Sequence, residues 1–440
     1  MIDALTVGAL SVAAIFVLIL LGFHVGVALA SVSFVGIYLM TGKLMVAASL
    51  LQTTAFSGVN DYIFAVIPLF IVMGLFATQS GATRDLFDAA ESVTRKIRGG
   101  VGVATVLANA IFAAITGVSV ASAAVFSKLA IPEMNRLGYE PKFALGIVAS
   151  SALLGMLIPP SILMIIYGVI TEESIGKLFA AGIGPGLVVT GTLSAMILLR
   201  VHLDPALAGH EARGDDAPAY GRMETIIKIW PIAALITLVL GGIYGGLFTP
   251  TEAGAIGALG AAVLIVVRGR FTAKGMMTSL LDTGMACGSI FFLLITAQMY
   301  SRMLTLSRLP DTLTQWASGL AVPGVVILLA LVVVLLLLGS IIDSVSILLL
   351  TMPIMVPIAQ SFGYDKIWFG MIAIVTVELG LLTPPFGMVV FAMKAALPDN
   401  VRIEDIFLGS LPFFAALLAA LGLVIAFPEI SHFLPRLLLG

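Results

Sequence analysis

Charge is scarce in this chain. Asp, Glu, Lys and Arg make up only 10% of its 440 residues, while 60% are hydrophobic. A soluble globular domain carries about a quarter charged residues, so that class is excluded. Cysteine is scarcer still: Cys287 stands alone, which rules out a disulfide within the chain and any cysteine-built metal site. The four histidines, His24, His202, His210 and His432, show no metal-ligand spacing. Signatures of intramembrane enzymes are also missing. There is no Gly-x-Ser-Gly loop with a paired histidine and no His-Glu-x-x-His. Aspartyl proteolysis needs two facing aspartates, and only Asp343 lies deep in an apolar run.

What the chain has instead is a succession of apolar runs, each near the ~20 residues that cross a bilayer. This is a multi-span membrane protein. Ala4–Leu21 has no basic leading region and no polar cleavage zone, so it reads as a retained span. Residues 4–22 and 24–41 read as two helices with His24 at the surface between them, 44–59 as an interfacial connector, and 60–80 as a third span holding Asp61 and Pro68. An amphipathic arm, 82–98, precedes an apolar stretch at 100–135 that is interrupted at Thr116–Ser122. Each half of that stretch is about 15 residues, too short to cross alone, which predicts a re-entrant hairpin. A broken helix at 142–169 and a span at 178–200 complete the first half, 1–200.

A polar connector, 201–227, leads to the second half, 228–440. Here spans are expected at 229–247, 253–267 and 279–301, an arm at 302–318, and a second hairpin at 323–358 interrupted at Gly339–Ser346. A second broken helix covers 366–393 and a last span 406–427. Thr249 or Thr251 is expected to cap the helix that carries Glu252, and Asn109 to hydrogen-bond a neighbouring helix.

The second broken helix organises the reading. Within Thr376–Phe391, the pair Pro384-Pro385 removes two backbone donors and pushes Thr383 out of helical geometry. No straight helix runs through it. Thr383 is expected to cap the restarted helix, with Pro384 at its first position. The same device stands 225 residues earlier at Pro159-Pro160. At that single offset Ser119 falls on Ser344, Gly138-Tyr139 on Gly363-Tyr364, and Gly155 on Gly380. The chain is a duplication.

Charge orients it. With the first arm, the first hairpin's base, the connector, 268–274 and 394–405 on one side, all but six of the 22 Lys and Arg residues lie there. The six are Lys43, Lys177, Arg302, Arg308, Lys366 and Arg436. The basic side is cytoplasmic by the positive-inside rule. The halves then enter from opposite faces. The expected fold is an all-α integral membrane protein with an inverted structural repeat, two re-entrant hairpins and two broken helices.

Hairpin tips and helix breaks leave free carbonyls, which suit Na⁺, and free amides, which suit anions. The expected sodium ligands are Gly117, Ser119, Gly155, Asp343, Ser344, Gly380 and Thr383. Ser122, Pro159, Pro160, Ser161, Ser346, Pro384 and Pro385 are expected at the substrate. Ser151 and Thr376 are further hydroxyls in these runs; small hydroxyls also simply join membrane helices. Asp343 has Val118 as its counterpart, so the two tips are not equivalent. Glu378 lies one turn before its break, opposite Leu153 in the repeat, and is either protonated or paired with a neighbouring helix. A passive channel fits less well, because paired hairpins in inverted repeats suit alternating access.

Over nearly its whole length the sequence resembles the large membrane subunit, DctM type, of TRAP transporters within the ion transporter superfamily. The residues that carry the resemblance are Ile67-Pro-Leu-Phe70, Thr116-Gly-Val-Ser-Val-Ala121, Gly138-Tyr139, Leu157-Ile-Pro-Pro-Ser161, Gly182-Ile-Gly-Pro-Gly186, Thr249-Pro-Thr-Glu-Ala253 and Thr383-Pro-Pro385. Val118 departs from it, since the family tends to a small polar residue in the first tip. The resemblance implies Na⁺-driven uptake of organic anions, such as C4-dicarboxylates or sialic acid, across the bacterial inner membrane by an elevator mechanism. It implies a small membrane subunit (DctQ or SiaQ type) and a periplasmic binding protein as partners. It implies no cofactor beyond Na⁺ as coupling ion, lipid as the surrounding medium, and no nucleic acid. A stand-alone Na⁺/divalent organic anion symporter of the same superfamily is the alternative.

Overall fold

The computed structural model describes residues 3–60, 62–94, 96–209 and 222–439. Asp61, Arg95 and most of the polar connector, with Arg213, Asp215 and Asp216, lie outside the described residues. Within them every regular element is a helix. The first half holds α1 (Ala4–Leu20), α2 (Val25–Thr41), α3 (Leu44–Asn60), α4 (Val66–Gln79) and the arm α5 (Ala82–Thr94). The first hairpin is α6 (Gly100–Thr116) and α7 (Ser119–Arg136). The first broken helix is α8 (Pro141–Ala152) and α9 (Ile162–Thr171), followed by α10 (Ile175–Leu203).

The second half begins with α11 (Arg222–Ile236), a π-helical turn at Thr237–Gly241, and α12 (Gly242–Tyr244). Then come α13 (Pro250–Val267), the long α14 (Ala273–Ser307) and the arm α15 (Leu309–Gly319). The second hairpin is α16 (Gly324–Gly339) and α17 (Ser344–Ser361). The second broken helix is α18 (Lys366–Gly380) and α19 (Met388–Ala396), followed by α20 (Ile403–Ala426) and α21 (Glu429–Leu439). Seven of the described helices are long and apolar enough to cross a membrane. One of them, α17, has its first turn fixed inside the protein.

Several boundaries have local causes. Thr249 caps α13 through a capping box: its hydroxyl accepts from Glu252 N at 3.3 Å, and Glu252 accepts from Thr249 N at 2.8 Å. His24 lies at the surface, where its ring accepts from Gly26 N at the start of α2. Helix α14 continues through the stretch read as the start of the second arm. It ends only at Arg308, whose left-handed φ of 55° turns the chain into α15, so Arg302 belongs to α14. Helix α21 has no counterpart in the sequence reading; its amphipathic face packs on α10 and α18.

Packing divides the helices into two groups. In one, α4 lies on α13, and α14 on α2, α3 and α4. In the other, the hairpins and broken helices interlock: α7 packs on α19, and α17 on α9. Each hairpin thus lies against the outer half of the other repeat's broken helix, which is what a two-fold relation gives.

The direction of the relation is visible at the helix ends. Tyr167 Oη donates to Lys366 O at 2.7 Å, and Lys366 Nζ donates to Thr171 O at 3.1 Å. At the opposite end, Lys142 in the first turn of α8 pairs with Asp405 at 3.3 Å, in the first turn of α20, which follows α19. The two broken helices run antiparallel, so the repeat is inverted. Cysteines placed at Lys177 and Asp311 in a Cys287→Ser background are expected to react with an impermeant thiol reagent from the periplasm. A cysteine at Lys274 should react only after permeabilisation. Equal labelling of Lys274 and Asp311 in intact cells would contradict the topology.

Candidate functional site

The first tip is two residues long. Gly117 takes the left-handed conformation (φ 63°) as the cap of α6, and Val118 is extended. A Cβ on Gly117 would meet Pro160 O at 2.8 Å, and one on Gly155 would meet Ser119 Cα at 2.7 Å. The tip is therefore seated directly on the first break. There the chain leaves α8 through a 3₁₀ turn, Leu153–Met156, and passes Pro159-Pro160, a cis peptide. It restarts at Ser161, whose hydroxyl accepts from Met164 N at 3.4 Å and donates to Met156 O. Ser161 is buried and its hydroxyl is fully engaged.

The second tip is built alike but longer, with residues 340–343 between α16 and α17. Gly339 and Gly380 meet backbone to backbone: a Cβ on Gly380 would lie 2.4 Å from Gly339 Cα. Phe386 N donates to Ser340 O at 3.1 Å, which ties the tip to the second break. Thr383 does not cap the restarted helix. Two prolines and a left-handed Gly387 (φ 54°) keep the chain out of helix until Met388. The Thr383 hydroxyl instead donates back to Gly380 O at 2.7 Å, taking up a carbonyl freed where α18 ends. Pro384, Pro385 and Phe386 are exposed, whereas Pro159 and Pro160 are buried.

The two tips meet at Glu378. Its side chain is buried, with the residue 1% exposed. One carboxylate oxygen accepts from Ser119 Oγ of the first tip; the other accepts from Ser344 Oγ of the second tip at 3.0 Å. The Ser119 hydroxyl also lies 3.4 Å from Leu153 O, the residue opposite Glu378 in the repeat. One carboxylate thus joins both tips, reaching Ser119 across 259 residues of sequence. No Lys or Arg is among its hydrogen-bond partners, both of which are hydroxyls.

Asp343 is half-buried and caps α17, accepting from Ser346 N at 2.9 Å through Oδ1. Ser122 and Ser346 are fully buried, and neither hydroxyl finds a hydrogen-bond partner within the described protein. Buried polar groups seldom stay unpaired, so these two are suited to an added ligand. Ser151 and Thr376 are satisfied structurally: Ser151 Oγ accepts from Asn109 Nδ2 at 2.7 Å, and Thr376 donates to Ile372 O.

Gly117, Ser119, Gly155, Asp343, Ser344 and Gly380 therefore gather around the tip contact, with Thr383 and the proline pairs at the breaks beside it. The residue at the centre, Glu378, is one that sequence reasoning leaves out of the expected site. An acid in an apolar run one turn before a break is its only signal.

Residues 12–430 match the family described as the tripartite ATP-independent periplasmic transporter, DctM component. The chain is 36% identical to the C4-dicarboxylate TRAP transporter large permease protein DctM of Pseudomonas aeruginosa, over 86% of this chain and 87% of that protein. It is 31% identical to the sialic acid TRAP transporter large permease protein SiaM of Vibrio cholerae, over 87% and 88% respectively. The solved YdaH transporter of Alcanivorax borkumensis shares the fold, with a TM-score of 0.65 at 18% identity, covering 88% of this chain and 90% of that one.

Proposed function

The chain belongs to the DctM family of tripartite ATP-independent periplasmic transporters, as a multi-pass inner-membrane permease, and from this we propose that it drives uptake of an organic anion with a Na⁺ gradient. The observation that supports this best is Glu378. A carboxylate in the middle of a membrane protein costs at least a few kcal/mol to bury unless something offsets its charge. Two hydroxyl donors reduce that cost; a bound Na⁺ would offset the remainder. Further oxygens suited to the ion are the Asp343 carboxylate, next in sequence to Ser344, and the carbonyls at both breaks; the unpartnered Ser122 and Ser346 hydroxyls are left for the substrate.

The anion would sit beside the breaks, against amide ends left by the proline pairs. The named relatives handle C4-dicarboxylates and sialic acid, so an organic acid is the expected class. The family's tripartite name agrees with two partners, a small membrane subunit and a periplasmic binding protein. Alternating access would move the interlocked hairpin group against the α1–α4, α13 and α14 group as an elevator. The two packed groups favour that reading; they meet where α14 packs on α17 and α4 on α6 and α9.

Asp343→Asn tests the sodium reading. Asparagine keeps the cap to Ser346 N through its amide oxygen but removes the charge. The Na⁺ concentration for half-maximal uptake is expected to rise severalfold, with normal amounts of folded protein. Ser119→Ala should shift it less, because carbonyls at the first tip remain. Unchanged Na⁺ dependence in Asp343→Asn would reduce this aspartate to a helix cap.

A further inference from the structure

A second polar constellation lies away from the tips. A cavity of about 340 Å³ opens between α9 and α17 of the interlocked group and Phe64 and α14 of the other. It contains none of the tip or break residues. Its exposed lining is polar and apolar in near-equal measure: Phe64, Leu349 and other apolar side chains share it with Glu172, Gln298, Ser301 and Arg302. Its volume falls in the range of about 300–1,000 Å³ that small-ligand sites show.

Charge sets this cavity apart from a packing gap. Arg302 and Glu172, both exposed, bring one positive and one negative side chain to one lining, and no described ion pair engages either, whereas the neighbouring Glu173 pairs with Lys366. Glu172 also occupies a left-handed position (φ 58°) that ends α9, where glycine is the usual choice. Arg302 and Glu172 both lie on the side with few basic residues, which is the periplasmic side.

We infer that this cavity is a periplasmic acceptance site for a small zwitterion, a molecule with one carboxylate and one cationic group. Arg302 holds the carboxylate, Glu172 faces the cationic end, and Gln298 and Ser301 supply neutral hydrogen bonds. A dianion gains from Arg302 but meets Glu172 with like charge, so it binds less well. The inference rests on the proposed uptake function for its place in the cycle. Its geometry does not depend on the sodium site.

The test uses the full chain in proteoliposomes with Ser301→Cys in a Cys287→Ser background. Anionic and cationic methanethiosulfonates are expected to label at comparable rates, because Arg302 and Glu172 offset each other. Arg302→Gln should shift the preference severalfold toward the cationic reagent, and Glu172→Gln toward the anionic one. Two four-carbon probes differ only at their second charge: γ-aminobutyrate and succinate. γ-Aminobutyrate should protect the introduced thiol better than succinate, and Glu172→Gln should reverse that order. Protection should persist in Glu378→Gln even where uptake fails, which separates this site from the sodium reading. Reagent rates that neither substitution changes, protection by neither probe, or better protection by succinate in the unaltered cavity would each overturn the inference.

Discussion

Replacing Pro384 and Pro385 together with alanine is expected to leave the protein folded in the membrane and abolish uptake. Alanine returns two backbone donors and the best helix propensity at the one place where α18 must stop. The helix would run from Lys366 toward Ala396 with its carbonyls and amides paired internally. The bond from Phe386 N to Ser340 O would be lost, and with it the attachment of the second tip to the break. Insertion should survive, since the segment becomes a more regular apolar helix. Membrane-fraction abundance and monodispersity in detergent should match the parent while uptake falls to background. Near-normal uptake in a well-folded double variant would show that the break is incidental.

Glu378→Gln is expected to raise the Na⁺ concentration for half-maximal uptake by about tenfold or more, a change of at least about 1.4 kcal/mol in ion binding. Glutamine fills the same volume and can accept from one serine while donating to the other, so the tips stay joined. What it removes is the charge. Glu378→Leu is a different case: it strands the buried Ser344 hydroxyl, at a cost of roughly 1–3 kcal/mol, and leaves Ser119 only its longer contact with Leu153 O. That variant should lose stability as well as Na⁺ affinity. The amide and the hydrocarbon together separate the charge of Glu378 from its role in joining the tips. If Glu378→Gln keeps wild-type Na⁺ dependence, the carboxylate is a structural brace.

Much of this architecture can be read from residue order because membranes restrict the choices so strongly. Two proline pairs at one offset with matching glycines locate both breaks, and short apolar arms about 15 residues long imply hairpins. Charge distribution implies the inversion that the Tyr167–Lys366 and Lys142–Asp405 contacts display. Thr383 misleads for a local reason. A threonine before proline usually marks a helix start, but here the second proline and left-handed Gly387 delay the restart to Met388. Glu378 carries little weight in the sequence because its meaning depends on Ser119, 259 residues away. No pattern of spacing along one helix reports a contact of that kind. The cavity beside Arg302 is illegible for the same reason, since Glu172 and Arg302 come from different repeats.

The most direct test of the account is uptake in proteoliposomes containing the chain, its small membrane subunit and substrate-loaded binding protein, driven by one imposed gradient at a time. An inward Na⁺ gradient alone should give accumulation that a Na⁺ ionophore abolishes, and a proton gradient in Na⁺-free buffer should give none. Accumulation driven by protons without Na⁺, or uptake indifferent to both gradients, would contradict it.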